Sequence, residues 1–287
     1  MLLALLRSLR PAQWTKNLFV LVPLLFAGRL SDPAAVGAAL LAFASFSAAA
    51  SAVYLFNDLR DRERDRAHPL KRHRPLASGR LSPAVAAVAA LLLAAAAAAV
   101  AVRLGVAFGL ALGAYLAINL LYTLALKRLV ILDVMAIAAG FLLRVLGGAA
   151  AIPVAVSPWL LLCTGFLSLF LGFSKRRHEL LLSPDATGGR EVLAHYSPAF
   201  LDQMINVVTA STVVCYALYA VDAQTVAKFG SERLILTLPM VLFGIFRYLY
   251  LAYQVSDPRS PTDAILTDLP FLANLLLWAA TAAAIVY

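Results

Sequence analysis

Apolar residues fall along this chain in long unbroken runs separated by short polar segments, not in alternation. Nine runs stand out: residues 17–28, 34–56, 84–102, 106–126, 130–151, 158–173, 204–221, 234–254 and 269–287. Most hold roughly 16–23 residues, about what a helix needs to cross a bilayer core. Continuous runs predict helices, because barrel strands would alternate apolar and polar positions. The first run is short and is expected to extend into its flanks. Pro83 stands where a first helical residue is favoured, just ahead of an alanine-rich run. The opening MLLALLRSLR is too short to span and reads as an amphipathic helix in the membrane interface, with no cleavable signal peptide evident. The expected fold is all-α: a polytopic membrane protein of about nine transmembrane helices, one domain over residues 1–287.

Composition sharpens this. The chain of 287 residues is 62% apolar and only 14% charged, where a soluble domain carries about 25% charged residues. Its net charge of +9 implies no nucleic acid, because placement explains it. With the N-terminus in the cytoplasm, 19 of the 24 basic residues fall in segments on that side: Arg7, Arg10, Lys16, the eight between Arg60 and Arg80, Lys127, Arg128, Lys175, Arg176, Arg177, Arg190, Arg247 and Arg259. Only Arg29, Arg103, Lys228 and Arg233 fall opposite, and Arg144 lies within a span. The positive-inside rule therefore predicts a cytoplasmic N-terminus and an external C-terminus. Cys163 and Cys215 lie in apolar runs without ligand spacing and read as core residues. The charged segments following the second and sixth runs hint at two pseudo-repeated halves.

Chemistry concentrates in YLFNDLRDRERDRAHPLKRHRPLASGR, residues 54–80. If the preceding helix runs on through Asp65, each residue turns by about 100°. With Asp58 at zero, Asn57, Asp61 and Asp65 fall near 260°, 300° and 340°, on one stripe about 100° wide, while Glu63 points elsewhere near 140°. Carboxylates so aligned repel unless a cation lies between them, and hard oxygen ligands suit Mg²⁺, which commonly bridges to substrate phosphates. The basic residues that follow suit the remaining phosphate charge. The bland alternative is a solvated loop between two helices.

Asn57-Asp58-x-x-Asp61-x-x-x-Asp65 resembles the first aspartate-rich motif of the UbiA superfamily of intramembrane prenyltransferases. Gln13-Trp14-Thr15-Lys16-Asn17, and Tyr122 through Lys127 ahead of Asp133, fit the same pattern, and the resemblance covers nearly the whole chain. Ser174-Lys175-Arg176-Arg177-His178-Glu179-Leu180, with Arg247-Tyr248 and Leu266-Thr267-Asp268, is similar to one branch, the decaprenyl-phosphate phosphoribosyltransferases (decaprenylphosphoryl-5-phosphoribose synthases). Prenyltransferases that use a prenyl diphosphate carry a second D-x-x-x-D motif in the matching loop. Here the loop is basic, and Asp185 and Glu191 stand six apart around Gly188-Gly189.

The resemblance implies a UbiA-type bundle with a cytoplasmic-side active-site cavity. It implies a Mg²⁺-dependent transfer of 5-phosphoribosyl from phosphoribosyl pyrophosphate to a polyprenyl phosphate, releasing diphosphate, for cell-envelope glycan precursors. Asp58, Asp61 and Asp65 would be the catalytic carboxylates and, with Asn57, the metal ligands. Lys16, Asn17, Tyr122, Lys127, Arg144, Lys175, Arg176 and Glu179 would bind substrate. From the residues alone, Lys16 could instead snorkel, and Lys175 to Arg177 could be topological anchors. Asp133 and Arg144, ionisable residues within an apolar run, are expected to face a cavity or partners. His178 has no evident partner. The rivals are isoprenyl transfer from a prenyl diphosphate to an aromatic or other acceptor, and a transporter. Prenyl chain length and homo-oligomer formation stay open.

Overall fold

The computed structural model of the protein describes residues 1–68, 71–182, 191–254 and 267–286. Asp185, Gly188, Gly189, Arg190, Arg259 and Leu266 lie outside these. The described residues form helices and turns without strands: α1 (Leu2–Leu9), a 3₁₀ run (Pro11–Leu21), α2 (Val22–Phe26), α3 (Pro33–Arg60), α4 (Arg62–Ala67), α5 (Pro83–Leu104), α6 (Val106–Leu124), α7 (Leu132–Ala151), α8 (Pro158–Leu182), α9 (Pro198–Val221), α10 (Ala223–Phe229), α11 (Leu238–Gln254) and α12 (Leu269–Val286). Three of the long helices start on one device. Asp32, Ser82 and Ser197 each accept backbone N–H bonds from the first turn, and each is followed by a proline at the first helical position, where no N–H is missed.

Among the described residues, eight helical segments are long and apolar enough to cross a membrane: α3, α5 to α9, Arg233–Gln254 and α12. The protein is an integral membrane protein. Residues 17–28 do not make the expected ninth span, because they divide between the 3₁₀ run and α2. Pro23 supplies no N–H and its ring would clash with an α-helical carbonyl four residues back, so regular α-helix begins only at the turn that contains it.

The chain forms two compact units. The first holds Met1–Leu126 and Ala139–Val156; the second holds Lys127–Ala138 and Ser157–Tyr287. In the first, α3 and α5 pack closely through alanine and serine; Ala42, Ala49 and Ala97 are fully buried, and the Ser45 hydroxyl donates to the Ala97 carbonyl at 3.2 Å. Small residues at such seams let helices approach in lipid, where apolar burial alone gives no preference. Gly148 of α7 lies against the Val20 carbonyl so closely that a Cβ would clash, which brings the 3₁₀ run onto α7. In the second unit, α8 packs along α9 around Phe170, Phe173, Leu201 and Ile205, with Val192, Leu193 and Tyr196 from the connecting segment.

Candidate active site

The aspartate stripe survives a break in the helix. α3 ends at Arg60, Asp61 has ψ near 7°, and α4 resumes at Arg62. The Asp61 N–H still reaches the Asn57 carbonyl and the Asp65 N–H the Asp61 carbonyl, at 2.9 and 2.8 Å, so the register carries through. Asp58 and Asp65 are buried, Asp61 is half-buried, and the Glu63 side chain is 74% exposed, beside Arg66. The angular reading of the sequence thus separates the carboxylates correctly.

Two arginines that the sequence did not single out hold the stripe. One nitrogen of Arg74, Nη1, donates to both Asp58 Oδ1 and Asp65 Oδ2, at 3.2 and 2.7 Å. Arg10 donates to Asp58 Oδ1 at 2.6 Å and stacks over Tyr54. Arg10 has a left-handed backbone, φ 54°, where α1 turns into the 3₁₀ run. Its only sequence signal is the proline that follows; Arg74 also precedes a proline. The Asn57 amide oxygen accepts from the Thr123 hydroxyl at 3.0 Å, and Arg60 donates to the Thr123 carbonyl, which fastens α3 to the end of α6 beside half-buried Tyr122. Among the described residues, no three carboxylate, imidazole or thiol side chains already cluster as an ion would require. The donor chemistry nevertheless fits a divalent ion: two buried carboxylates flank a single position, and a positive group fills it.

Deeper in the first unit, Arg144 donates through Nε to Asn17 Oδ1, through Nη1 to the Gly140 carbonyl and through Nη2 to the Tyr115 hydroxyl, at 2.7, 2.8 and 3.0 Å. It also stacks on the Tyr115 and Phe141 rings. Asn17 in turn donates to Ser47, and Trp14 donates to Ser51. Arg144 and Asn17, both expected to meet substrate, are thus placed on each other, where they tie the 3₁₀ run to α3 and α7. Lys16, next to Asn17, is half-buried.

The second unit carries the basic cluster. Arg176, with its side chain 1% exposed, donates to Asp133 Oδ2 at 2.5 Å and to Glu179 Oε2 at 2.7 Å. The Tyr196 hydroxyl donates to Asp133 Oδ1 and accepts the Ile131 N–H, each at 2.7 Å. Burial first, and the bond to Asp133 second, push the Tyr196 phenol well above its usual range, so the donating proton stays in place. Ile131 has φ 68°, a strained conformation for a β-branched residue; the bond from Tyr196 holds that turn between Lys127 and α7. Arg176 and Glu179, both expected to bind substrate, are thus placed on each other, with the guanidinium matched by two carboxylates and closed from solvent. Arg177 likewise pairs with Asp202 and stacks on Tyr253. Lys175 and Lys127 are half-buried. Asp133 and Arg144, eleven residues apart on α7, serve different units. Arg247 and Asp268, from separate motif segments, meet in a double hydrogen bond of 3.1 and 2.8 Å that holds the Asp268 carboxyl below its ordinary range.

Sequence comparison decides the family: the UbiA prenyltransferase family model matches residues 17–285. The chain belongs to this family. It is similar to the decaprenyl-phosphate phosphoribosyltransferase of Corynebacterium glutamicum, 34% identical over 96% of this chain and 84% of that protein. It is equally similar to the enzyme of that name from Mycolicibacterium smegmatis, 34% identical over 99% and 92%. In fold it matches a UbiA homologue from Archaeoglobus fulgidus bound to GPP and Mg²⁺, with a TM-score of 0.75 at 20% identity over 99% of each chain. This chain carries the aspartate stripe on α3 and α4, and Lys175, Arg176 and Arg177 within the last turns of α8.

Proposed function

We propose that the protein transfers 5-phosphoribosyl from phosphoribosyl pyrophosphate to a polyprenyl phosphate at the cytoplasmic face of a bacterial inner membrane. The observation that carries this reading is the near full-length similarity to enzymes of that name. The basic end of α8, where prenyl diphosphate enzymes place a second acidic motif, supports it.

The chemistry follows from charge. The bond between the anomeric carbon and diphosphate breaks, and diphosphate leaves with the electron pair. An oxygen of the polyprenyl phosphate then bonds to that carbon. The nucleophile is already an anion, so no general base is needed, and none of the described stripe residues pairs with a histidine. Asp58 and Asp65, with Asn57 and Asp61 beside them, would hold Mg²⁺, which supplies charge neutralisation on the leaving diphosphate. Lys16, Lys127 and Lys175 are each assigned here as a contact to substrate phosphate. Tyr122 stands beside Thr123, which orients Asn57. Catalysis on this account is positioning plus electrostatics.

Membranes containing the protein, given phosphoribosyl pyrophosphate and decaprenyl phosphate, should form a phosphoribosylated lipid, visible by mass spectrometry, and release diphosphate only with Mg²⁺. Family membership also supports isoprenyl transfer as the second reading. A prenylated acceptor made from geranyl diphosphate, with no phosphoribosylated lipid, would replace the first reading by the second.

Orientation has its own test. With Cys163 and Cys215 changed to serine, a cysteine at exposed Ser78 should react with a membrane-impermeant maleimide only from the cytoplasmic side, and one at exposed Glu232 only from outside. The reverse pattern would remove the cytoplasmic donor from consideration.

A further inference from the structure

Asn57 stands at the edge of the stripe with a side chain whose two ends differ. A carboxylate offers a cation oxygen at either end. A carboxamide offers oxygen at one end and an N–H₂ group at the other, and only the oxygen can ligate. Here that oxygen is committed elsewhere: Asn57 Oδ1 accepts from Thr123 Oγ1 at 3.0 Å, which turns the amide nitrogen away from Thr123. So oriented, the other end of the amide carries N–H donors, which suit a surface of carboxylates but not a bound ion. Thr123 is itself fixed from two sides. Its carbonyl, in the last turn of α6 and so without a helical N–H to accept, takes the bond from Arg60 at 2.9 Å. Its hydroxyl, on a residue only 3% exposed, also lies 2.9 Å from the Asn119 carbonyl one turn back. Asn57, Arg60, Asn119 and Thr123 all belong to the first compact unit. A hydroxyl has one proton and two lone pairs, so Thr123 cannot donate to Asn57 and to Asn119 at once.

We propose that Thr123 is a positioning residue that lets the Asn57 amide take either of two orientations, an assignment that rests on Mg²⁺ binding at the stripe in the reading above. In the first, Thr123 donates to Asn57 Oδ1, as in this structure. In the second, the Thr123 proton turns to the Asn119 carbonyl, and the freed lone pair accepts from Asn57 Nδ2. The amide is then reversed and its oxygen faces the ion. Neither arrangement strands a buried group. The Asn119 carbonyl keeps its helical bond from the Thr123 N–H in both, and back-bonding of a threonine hydroxyl to that carbonyl is common in helices. Charge at the stripe selects between them. Carboxylates without an ion attract the N–H₂ end, and a divalent ion attracts the oxygen. A group that only donates or only accepts at position 123 would serve one orientation alone. A hydroxyl serves both, and the bonds to Arg60 and Asn119 hold it in place while the amide turns.

The test reads ion binding, not turnover. Full-length protein in nanodiscs of neutral lipid is titrated with Mn²⁺, and the free ion is followed by electron paramagnetic resonance. The wild type should bind Mn²⁺, and Asp58→Ala should remove that binding. Thr123→Val should weaken it by roughly tenfold or more, the effect of removing a group that orients a metal ligand, while Thr123→Ser, which keeps the hydroxyl, should stay within about threefold. Thr123→Ala carries the same expectation as valine, should the branched side chain not fold. Asn57→Ala should weaken binding at least as much as Thr123→Val, and adding Thr123→Val to Asn57→Ala should cause no further loss, because Thr123 acts only through Asn57. A role in folding alone would show neither that dependence on Asn57 nor the recovery by serine. Thr123→Val binding as tightly as the wild type, or losing the same factor with and without Asn57, would overturn the assignment while the ion site stands. A wild type whose Mn²⁺ binding does not depend on Asp58 overturns the ion site and the assignment together. These binding results, alongside a protein that makes no phosphoribosylated lipid, would overturn the donor reading and leave the assignment standing.

Discussion

Arg176→Leu should destabilise the protein by about 3–5 kcal/mol, the cost of leaving one member of a buried ion pair without its counter-charge. The stranded group is the Asp133 carboxylate, fully buried and left with only the Tyr196 hydroxyl. Glu179 loses its partner too, but with its side chain 25% exposed it can turn toward water. The strained turn at Ile131 depends on the same Tyr196 hydroxyl, so disorder should spread to Lys127. The measurement is the melting temperature of purified protein in detergent. Asp133→Leu combined with Arg176→Met should recover much of the loss, since well-packed apolar replacements of buried pairs are often neutral. If Arg176→Leu melts with the wild type and loses only donor affinity, the arginine serves substrate and the brace described here is wrong.

Asp58→Ala and Asp65→Ala should each lower turnover by about 10³-fold or more, equivalent to roughly 4 kcal/mol of transition-state stabilisation. Both carboxylates face the one position where a cation is already held, and diphosphate departure depends on positive charge there. Glu63→Ala should stay within about twofold, because Glu63 is itself exposed and its pairs with Arg62 and Arg66 contribute little. Initial rates at saturating Mg²⁺ decide the matter. Equal losses at Glu63 and Asp58 would mean that the face of α4 which matters is the opposite one.

The long spans were legible because an apolar run of bilayer length has few other uses. The stripe was legible because helical periodicity survives the small break at Asp61. Residues 17–28 misled: the run is apolar enough, but Pro23 within it carried the contrary signal. Partner choice was not legible at all. Nothing in the spacing of the eight basic residues between Arg60 and Arg80 marks Arg74, or Arg10 some fifty positions away, as the groups that reach Asp58. Similarly, Lys175-Arg176-Arg177 reads as one positive patch, yet the helix turns its members toward different neighbours. Arg176 and Arg177 are consumed by Asp133, Glu179 and Asp202, which leaves much less uncommitted charge than the sequence suggests.

Arg74 gives the acidic stripe a property that a bare carboxylate cluster would lack. Its side chain is a tethered counter-ion, so part of the stripe's negative charge is already offset when the chain folds. An incoming cation therefore arrives by exchange, not by simple addition. Its local competitor is attached to the same short segment and so acts at an effective concentration far above that of free ions, on the order of millimolar or more. A monovalent ion, which gains less from two carboxylates than a divalent one, competes less well against this resident. A divalent ion that brings a diphosphate with it can displace the guanidinium and at the same time offer it a new anionic partner.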